Sequence, residues 1–555
     1  MTTTREPRQA GPRAWGAGLA RAAVLVAAIT VAARVVGFGR WLVFSKTVGD
    51  TCLGDAYNTA NQLPNVTFEI VAGGALASVV VPVLAGALAQ PDGAGRADAE
   101  RTLSALLSWT LLLLTPVALL AAVLAGPYAE FMLAGHPGCS DSTGALATRM
   151  LVVFAPQVWF YGIAVVLSGA LQAQRRFVAA AAAPLASSVV VVAAYAGFGL
   201  LADGRLGAAE VPGAAIGLLA GGTTLGVVAL AVTVSVPFAR TRPRVRPTLR
   251  FPAGVGRRVR ALAAAGMVAL VTQQLVALLL TWLANHRGDS GTLTLYTWAY
   301  ALFTLPYAVL AVPVATTVFP HVSALAGDQG ARPAPSADVD AVASVATRAV
   351  LLLGALGGAL LAGTATPVAR LFVLGPGSGA TSSLADALVT FAPAVPALGV
   401  VTLASRLLYA RGHAAWSALG TATGWLAVAA AAVLLTARLS ADATTAALGA
   451  ATSVGLAVGA TVLVVGVRRR TGRAAMRGLP RGLLAGSLAG VVSAAVGDVV
   501  GRGFATVGFA AAVLGAVVTA VTVVVVFGAL VALVDRRSAA LVVRRVVRRP
   551  VGDAE

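Results

Sequence analysis

The sequence predicts an all-α polytopic membrane protein with about fourteen transmembrane helices in two lobes around a central cleft. Of its 555 residues, 58% are hydrophobic and 11% are charged, whereas soluble domains carry about a quarter charged residues. The apolar segments are about 20 residues long or longer and do not alternate, which favours helices over a β-barrel. Arginines collect in every second loop, as is typical of loops on the cytoplasmic side.

The predicted helices divide into two groups at a basic stretch. Residues 1–21 form a basic tail, and the apolar segment after it continues to Phe44, too long for a signal peptide, which favours a retained first helix. The predicted helices are 22–44, 60–88, 103–125, 147–171, 178–201, 213–236, 260–284, 294–323, 345–373, 387–410, 413–436, 443–467, 480–500 and 505–533.

These segments give five regions. Residues 22–236 form an N-terminal lobe of helices 1–6, and residues 260–533 form a C-terminal lobe of helices 7–14. A basic linker, 237–259, and a basic tail, 534–555, are predicted to lie on the same side of the membrane as the arginine-rich loops, so both termini are predicted to be cytoplasmic. No clear sequence repeat relates the lobes, although such symmetry is common in transporters.

The net charge of +20 follows from these loops. In a soluble protein it would suggest nucleic-acid binding, but here the positive-inside rule accounts for it. We therefore predict membrane lipids as the surroundings and no nucleic-acid partner.

The two cysteines fall in the first two loops on the predicted outer side. If this topology holds, Cys52 and Cys139 face an oxidising compartment, and a disulfide between them is one hypothesis. Two unrelated free thiols are the alternative.

The first predicted helix carries two arginines within an apolar segment. Arg34 lies about 18 Å along the helix from its start, too deep for easy snorkelling to the surface, which favours a lined cavity. Arg40 is nearer the outer face, where snorkelling is easier. The two project about 120° apart on a straight helix, and Gly37 and Gly39 between them would permit a bend that brings them together.

The second predicted helix carries a polar stripe about 80° wide, at spacings of three and four residues. Such a stripe in an apolar helix is expected to line a water-filled cleft. Alternatively, the first carboxylate caps the helix and the amides join helices. The members of the stripe are Asp55, Asn58, Gln62, Asn65 and Glu69.

Two arginines and a carboxylate suit a phosphate-bearing substrate, because guanidinium binds phosphate oxygens bidentately. We expect Glu69 to pair with Arg34 or Arg40, or to be protonated. Gln273 and Gln274 face the same cleft or join helices. The sequence contains no metal-ligand set, no nucleophile with its base and no phosphate-cradling loop, so we predict no cofactor and no enzymatic activity.

Several motifs resemble the MurJ/MviN family. They cover the chain from about residue 25 to 535, and none is decisive alone. The residues that carry the resemblance are Ala33-Arg34-Val35-Val36-Gly37-Phe38-Gly39-Arg40, Asp55-Ala56-Tyr57, Leu63-Pro64-Asn65, Phe154-Ala155-Pro156, Gly169-Ala170-Leu171-Gln172-Ala173 and Leu305-Pro306-Tyr307.

The resemblance implies fourteen helices in two lobes and outward flipping of lipid II, a polyprenyl-diphosphate-linked peptidoglycan precursor, by alternating access. It implies that Arg34 and Arg40 hold the diphosphate, and it makes cell-wall synthases candidate partners. The chain departs from the family where arginines or a glutamate are frequent: those places hold Phe68, Glu69, Ala301 and Thr304.

This loss of positive charge leaves other functions open. One is a flippase or cation-coupled exporter for another substrate, which an assay of lipid II at the outer face would separate. Another is a cell-wall assembly scaffold without transport, which would keep its function after Arg34, Arg40 and Glu69 are neutralised together.

Overall fold

The structure, a computed structural model, describes residues 12–71, 80–81, 83–85, 93–241, 244–314, 336–373, 381–472, 474–504 and 508–534. These residues are helical almost throughout, and no strand occurs among them. Thirteen helices of this described part are long and apolar enough to cross a membrane. The predicted all-α polytopic fold is confirmed, while the side on which each terminus lies stays a prediction.

Eighteen α-helices, named here α1 to α18, lie in the described residues. They are α1 Pro12–Thr47, α2 Cys52–Glu69, α3 Gly93–Val123, α4 Ala125–Leu133, α5 Ser142–Phe154, α6 Gln157–Ala173, α7 Phe177–Leu201, α8 Gly213–Ala239, α9 Val255–Arg287, α10 Thr292–Pro306, α11 Ser336–Gly363, α12 Ala365–Phe372, α13 Thr381–Phe391, α14 Ala394–Ala410, α15 Ala414–Thr436, α16 Thr444–Thr471, α17 Leu479–Gly503 and α18 Phe509–Val534.

The first two helices begin earlier than predicted. Helix α1 begins at Pro12, so it takes in part of the predicted tail, and α2 begins at Cys52 rather than at residue 60. Thr51 caps α2, since its hydroxyl accepts a hydrogen bond from the Gly54 amide at 3.3 Å. The predicted continuation of this helix over residues 72–79 lies outside the described residues.

Two predicted spans are each divided into two helices at a Phe-Ala-Pro sequence. The break between α5 and α6 lies at Pro156, and the break between α13 and α14 lies at Pro393. Each pair follows a short helix, α4 or α12, that the sequence analysis assigned to a loop or a span end. Proline has no amide hydrogen and interrupts the hydrogen bonds of a helix. The two lobes thus share a local pattern that the sequence analysis did not recognise: a short helix followed by a pair of helices that are separated at a Phe-Ala-Pro sequence.

The lobes share one apolar core at the end of the molecule where α2 begins. This core joins Phe44, Tyr57 and Tyr195 of the N-terminal lobe to Trp298 and Phe372 of the C-terminal lobe, all fully buried or nearly so. Aromatic packing across the boundary is direct, since the rings of Phe38 in α1 and Phe372 in α12 have centroids 5.8 Å apart. The lobes are therefore held closed at this end.

The linker between the lobes is attached to α3. The backbone amide of Arg246 donates to Ser104 Oγ and that of Thr248 donates to Ser108 Oγ, both at 3.1 Å. Trp109 Nε1 donates to the Leu249 carbonyl at 3.0 Å. The two serines are one helical turn apart and bond alternate residues of an extended segment, so the linker lies along the N-terminal lobe as far as Leu249.

The two cysteines form a disulfide. It joins the first residue of α2, Cys52, to Cys139 in the loop between α4 and α5, with their Cα atoms 5.7 Å apart. The bond fixes this loop against the start of α2.

We expect neither cysteine to react with a membrane-impermeant maleimide in vesicles without reductant, because both sulfur atoms are already bonded. After reduction, both should add one label each, measured as a mass shift. A Ser440→Cys variant, exposed in a loop at the same end, serves as the positive control. Labelling of both native cysteines before reduction would contradict the disulfide.

Candidate functional site

A small polar pocket lies at the boundary between the lobes. Its volume is about 160 Å³. Helices α1, α2, α6, α7 and α8 form its walls, and two residues of α10 from the other lobe close it. The lining residues are Arg40, Trp41, Tyr57, Asn58, Asn61, Gln62, Asn65, Tyr161, Ser187, Val191, Tyr195, Thr223, Val227, Leu293 and Thr297.

Arg40 supplies the positive charge of this pocket. Its guanidinium carbon lies 4.9 Å from the centre of the Trp41 ring, an arrangement in which the ring face stabilises the cation. Its Nε atom is buried and has no hydrogen-bond partner in the described part of the protein, and the same holds for Asn61 Oδ1. A buried donor without an acceptor is costly, so this wall of the pocket suits an anionic ligand.

A chain of hydroxyl groups fixes the opposite wall. The Thr223 hydroxyl donates to the Leu219 carbonyl, so it accepts from Tyr57 Oη at 2.9 Å. Tyr57 Oη in turn accepts from Tyr195 Oη at 2.7 Å. These groups are buried and satisfied by one another, and they hold α2, α7 and α8 in place around Arg40.

Asp55 joins the two lobes. Its side chain is fully buried, and its Oδ2 atom accepts from the Gly291 amide at 2.7 Å while Oδ1 accepts from the Thr294 amide and hydroxyl at 2.9 and 2.8 Å. His136 Nε2 lies 2.9 Å from Oδ2. We call these four residues the interlobe lock. Asp55 thus caps the N-terminus of α10, where the helix dipole favours a negative charge.

Two amide side chains add to this contact. Asn58 Nδ2 donates to Thr294 Oγ1 at 3.0 Å, and Asn285 Nδ2 donates to Thr59 Oγ1 at 3.0 Å and to the Met132 carbonyl at 3.1 Å. Both side chains connect the C-terminal lobe to α2 or α4. The boundary at this end is therefore polar as well as apolar.

The polar stripe of α2 divides between two roles. The expectation that all five residues line a water-filled cleft is wrong for Asp55 in this conformation, because none of its surface is exposed. Asn58 is 7% exposed, and it both bonds Thr294 and lines the pocket. Interlobe bonds satisfy both of them. Gln62 and Asn65 line the pocket with Arg40.

Glu69, at the end of α2, is exposed between the lobes. It lies close enough to Tyr161 of α6 and Tyr300 of α10 for its charge to act on both hydroxyl groups. The expected ion pair with Arg34 or Arg40 does not occur among the described residues, whose ion pairs lie elsewhere. The neighbouring Phe68 packs on Tyr161 with ring centres 4.4 Å apart.

The remaining predicted site residues lie outside the pocket. Arg34 is exposed on α1, which stays one helix through both glycines, and it is not part of the lining. On α9, Gln274 is buried and Gln273 is half-buried, and neither lines the pocket. Of the predicted site residues, the structure therefore brings Arg40, Asn58, Gln62 and Asn65 together at the pocket.

Sequence reasoning missed His136, Asn285 and Thr294. Each of them contacts a segment that is far away in the chain, and no local spacing of residues predicts such a contact. One signal was present. Cys139 lies three residues after His136 in the same short loop, and Cys52 lies three residues before Asp55 at the start of α2. A disulfide between the two cysteines therefore implies that His136 is close to Asp55.

The sequence and the fold match known proteins. A family model described as lipid II flippase MurJ matches residues 44–520. The chain belongs to the MurJ family. Lipid II flippase MurJ of Burkholderia cenocepacia is 27% identical over 176 residues, 32% of this chain and 33% of the relative. Probable lipid II flippase MurJ of Rhizobium meliloti is 29% identical over 231 residues, 40% of this chain and 42% of the relative.

The matched regions thus span less than half the length of these two curated MurJ relatives. The fold extends the similarity. A solved structure of lipid II flippase MurJ in an inward closed conformation has a TM-score of 0.70 at 17% identity, covering 95% of this chain and all of that one. An inward-facing multidrug resistance transporter of the MATE family has a TM-score of 0.62 at 14% identity, covering 81% and 98%. Like its family, the chain is a multi-pass protein of the bacterial inner membrane.

We expect Asp55→Asn to open the lobes at the interlobe lock. The asparagine side chain accepts hydrogen bonds only at its oxygen, so its NH₂ group would face the donors that bond the second carboxylate oxygen of Asp55. This loss should destabilise the closed state by about 1–3 kcal/mol. The distance between spin labels at Ala209→Cys and Ser440→Cys, in exposed loops of the two lobes at this end, would increase.

The matched control is Asp141→Asn. Asp141 is exposed at the same end and makes no capping hydrogen bond, so its substitution should leave the distance unchanged. An unchanged distance in Asp55→Asn itself would show that the lock does not hold the lobes together.

Proposed function

We propose that the chain flips lipid II, a polyprenyl-diphosphate-linked peptidoglycan precursor, from the inner to the outer leaflet by alternating access. The observation that carries this proposal is the position of Arg40: an arginine with an unpartnered donor lines a polar pocket whose closing wall belongs to the opposite lobe. Membership of the MurJ family supports the substrate class.

In this proposal the interlobe lock lies at the outer face. Two features support that orientation: the disulfide beside the lock fits an oxidising compartment, and the arginine-rich loops at the other end fit the cytoplasm. With the lock closed, cargo enters from the inner leaflet. Breaking the lock exposes the same pocket to the outside.

The pocket size defines which part of the cargo it receives. About 160 Å³ is less than the roughly 300–1,000 Å³ of ordinary small-molecule sites. It suits a phosphate group, which Arg40 would bind bidentately while Gln62 and Asn65 donate from α2. The sugar and peptide would lie in the space between the lobes that Glu69 faces, with Arg34 nearer the entrance and the polyprenyl chain in the bilayer.

A second candidate is the export of a different cargo. The carboxylate of Glu69 lies within electrostatic reach of Tyr161 in one lobe and Tyr300 in the other, at a position where the family resemblance calls for positive charge. That position favours a cationic or amine-bearing group over a second phosphate, and MATE-type transporters share the fold. Cell-wall synthases, as consumers of the flipped product, stay a prediction for the first candidate.

We expect Arg40→Gln to reduce lipid II exposure at the outer leaflet at least tenfold, because a neutral amide cannot balance the phosphate charge. Arg40→Lys should retain part of the activity, since it keeps the charge but loses the bidentate geometry. The measurement is complementation of a flippase-depleted strain, together with lipid II accessibility in spheroplasts.

Arg34→Ala should also abolish complementation while leaving membrane insertion intact. Arg205→Gln, an exposed arginine in the loop between α7 and α8, is the matched control and should complement fully. Full complementation by Arg40→Gln would refute a phosphate-binding role for this pocket.

A further inference from the structure

An apolar groove lies among the membrane spans of the C-terminal lobe. Its volume is about 710 Å³, and its walls belong to α11, α13, α14, α16 and α17. Helix α17 packs on α11 and α18, and the groove separates it from α14 and α16. Apart from one arginine at its end, the only polar side chains in the described lining are Thr461 and Ser487. A hydrocarbon chain is therefore the kind of occupant that the groove suits.

The groove extends over about one leaflet of a bilayer. It runs about 16 Å along α16, from Ala457 to Arg468, and about 22 Å along α17, from Leu479 to Ala494. The hydrocarbon of one leaflet is about 15 Å thick. The groove thus begins at the end of α16 that carries Arg468 and ends near the middle of the membrane.

A second cavity, of about 500 Å³, continues the groove beyond this end. Val465 and Arg468 line both cavities, and Arg469 and Arg477 also line the second one. All three arginines are exposed, and none of them takes part in an ion pair of the described residues. No aspartate or glutamate is among the described residues that line either cavity. Three guanidinium groups without a carboxylate suit a phosphate, whose oxygens they bind through paired N–H groups.

The position of these arginines is more specific than the positive-inside rule requires. That rule accounts for basic residues at this end of the helices, but not for their place at the mouth of a groove. Arg470 shows the difference. It follows directly in the chain, but its guanidinium carbon lies 5.4 Å from the ring centre of Trp416 of α15, and it lines neither cavity. Arg468, Arg469 and Arg477 instead form a basic pocket between helices, of the kind that binds lipid headgroups.

We propose that the groove and the basic pocket together bind one phospholipid with an anionic headgroup, from the leaflet on the arginine side. The phosphate lies among Arg468, Arg469 and Arg477, and an acyl chain lies along α17 against Ala355 and Ala359 of α11. The lipid fills the space between α16 and α17 and so completes the packing of the lobe there.

The polyprenyl chain of the proposed cargo is a different hydrocarbon. The cargo pocket lies at the boundary between the lobes, whereas every described lining residue of the groove belongs to the C-terminal lobe. The depth of the groove, about one leaflet, fits an ordinary acyl chain. The proposal therefore concerns a lipid that stays bound, and it goes beyond the flippase function without depending on it.

The test uses the full chain in detergent with its disulfide intact, and native mass spectrometry measures how many lipids bind and how tightly. Dioleoylphosphatidylglycerol should occupy one site about tenfold more tightly than dioleoylphosphatidylcholine, which has the same acyl chains and no net charge. The double variant Arg468→Gln/Arg477→Gln should lose this preference, because a neutral amide does not balance the phosphate charge. Arg470→Gln is the matched control and should retain it.

A second pair of variants tests the apolar part of the site. Ala457 is exposed and lines the groove, so Ala457→Phe should fill it. Phosphatidylglycerol should then bind about tenfold more weakly, the equivalent of about two buried methylene groups. Val458→Phe, at the adjacent exposed position that does not line the groove, is the matched control and should leave binding unchanged.

Equal binding of the two lipids, or an equal loss in Arg470→Gln, would overturn the proposal, because the arginines would then act only as surface charge. Unchanged binding in Ala457→Phe would place the lipid outside the groove and refute it as well. Displacement of phosphatidylglycerol by an equal concentration of a polyprenyl phosphate would assign the groove to the cargo instead. The flippase function is tested separately by the Arg40 variants, so it can fail or stand whatever these lipids do.

Discussion

The structure depends on one buried carboxylate. Asp55 has no exposed surface, and a charge removed from water must be matched by donors or it destabilises the fold by several kcal/mol. Three of its four donors come from the other lobe. The N-terminus of α10 gains an acceptor by the same contact. Each lobe therefore satisfies a group that the other cannot bury alone, and this fixes how they meet.

The pocket and the lock are consequences of the same helix position. Helix α10 begins at Thr292, directly beside Asp55, and its first two turns place Leu293 and Thr297 over the pocket that Arg40 lines. Closing the lock thus also closes the pocket. In the proposed transport cycle, a cargo larger than the pocket would displace α10, and its binding would thereby be coupled to the separation of the lobes.

The sequence predicted most of the helices because membrane insertion leaves few choices: every backbone group must be satisfied, and the apolar segments are long. It also predicted that Arg40, Gln62 and Asn65 line a polar cavity, since polar groups deep in a membrane are costly unless they are paired or hydrated, and all three line the pocket. Their role in function stays a prediction. It did not predict which polar residues meet across the lobes. Asp55 and Asn58 share a helical stripe with Glu69, but only the packing of α10 decides that the first two are buried. The broken helices at Pro156 and Pro393 were missed because a proline within an apolar run is also compatible with a kinked continuous helix.

The bonding of the linker to α3 limits how the lobes can move. Ser104, Ser108 and Trp109 hold the chain as far as Leu249. Beyond it, Phe251, Val255 and Val259 pack against the apolar cluster of the N-terminal lobe, so the linker and the first turns of α9 stay with that lobe. Gly254 has φ of +79°, a conformation that glycine adopts without strain. A linker attached in this way holds the start of the C-terminal lobe against the N-terminal lobe at the end opposite the interlobe lock. In the proposed transport cycle, the lobes would therefore separate at the interlobe lock and stay joined at the linker.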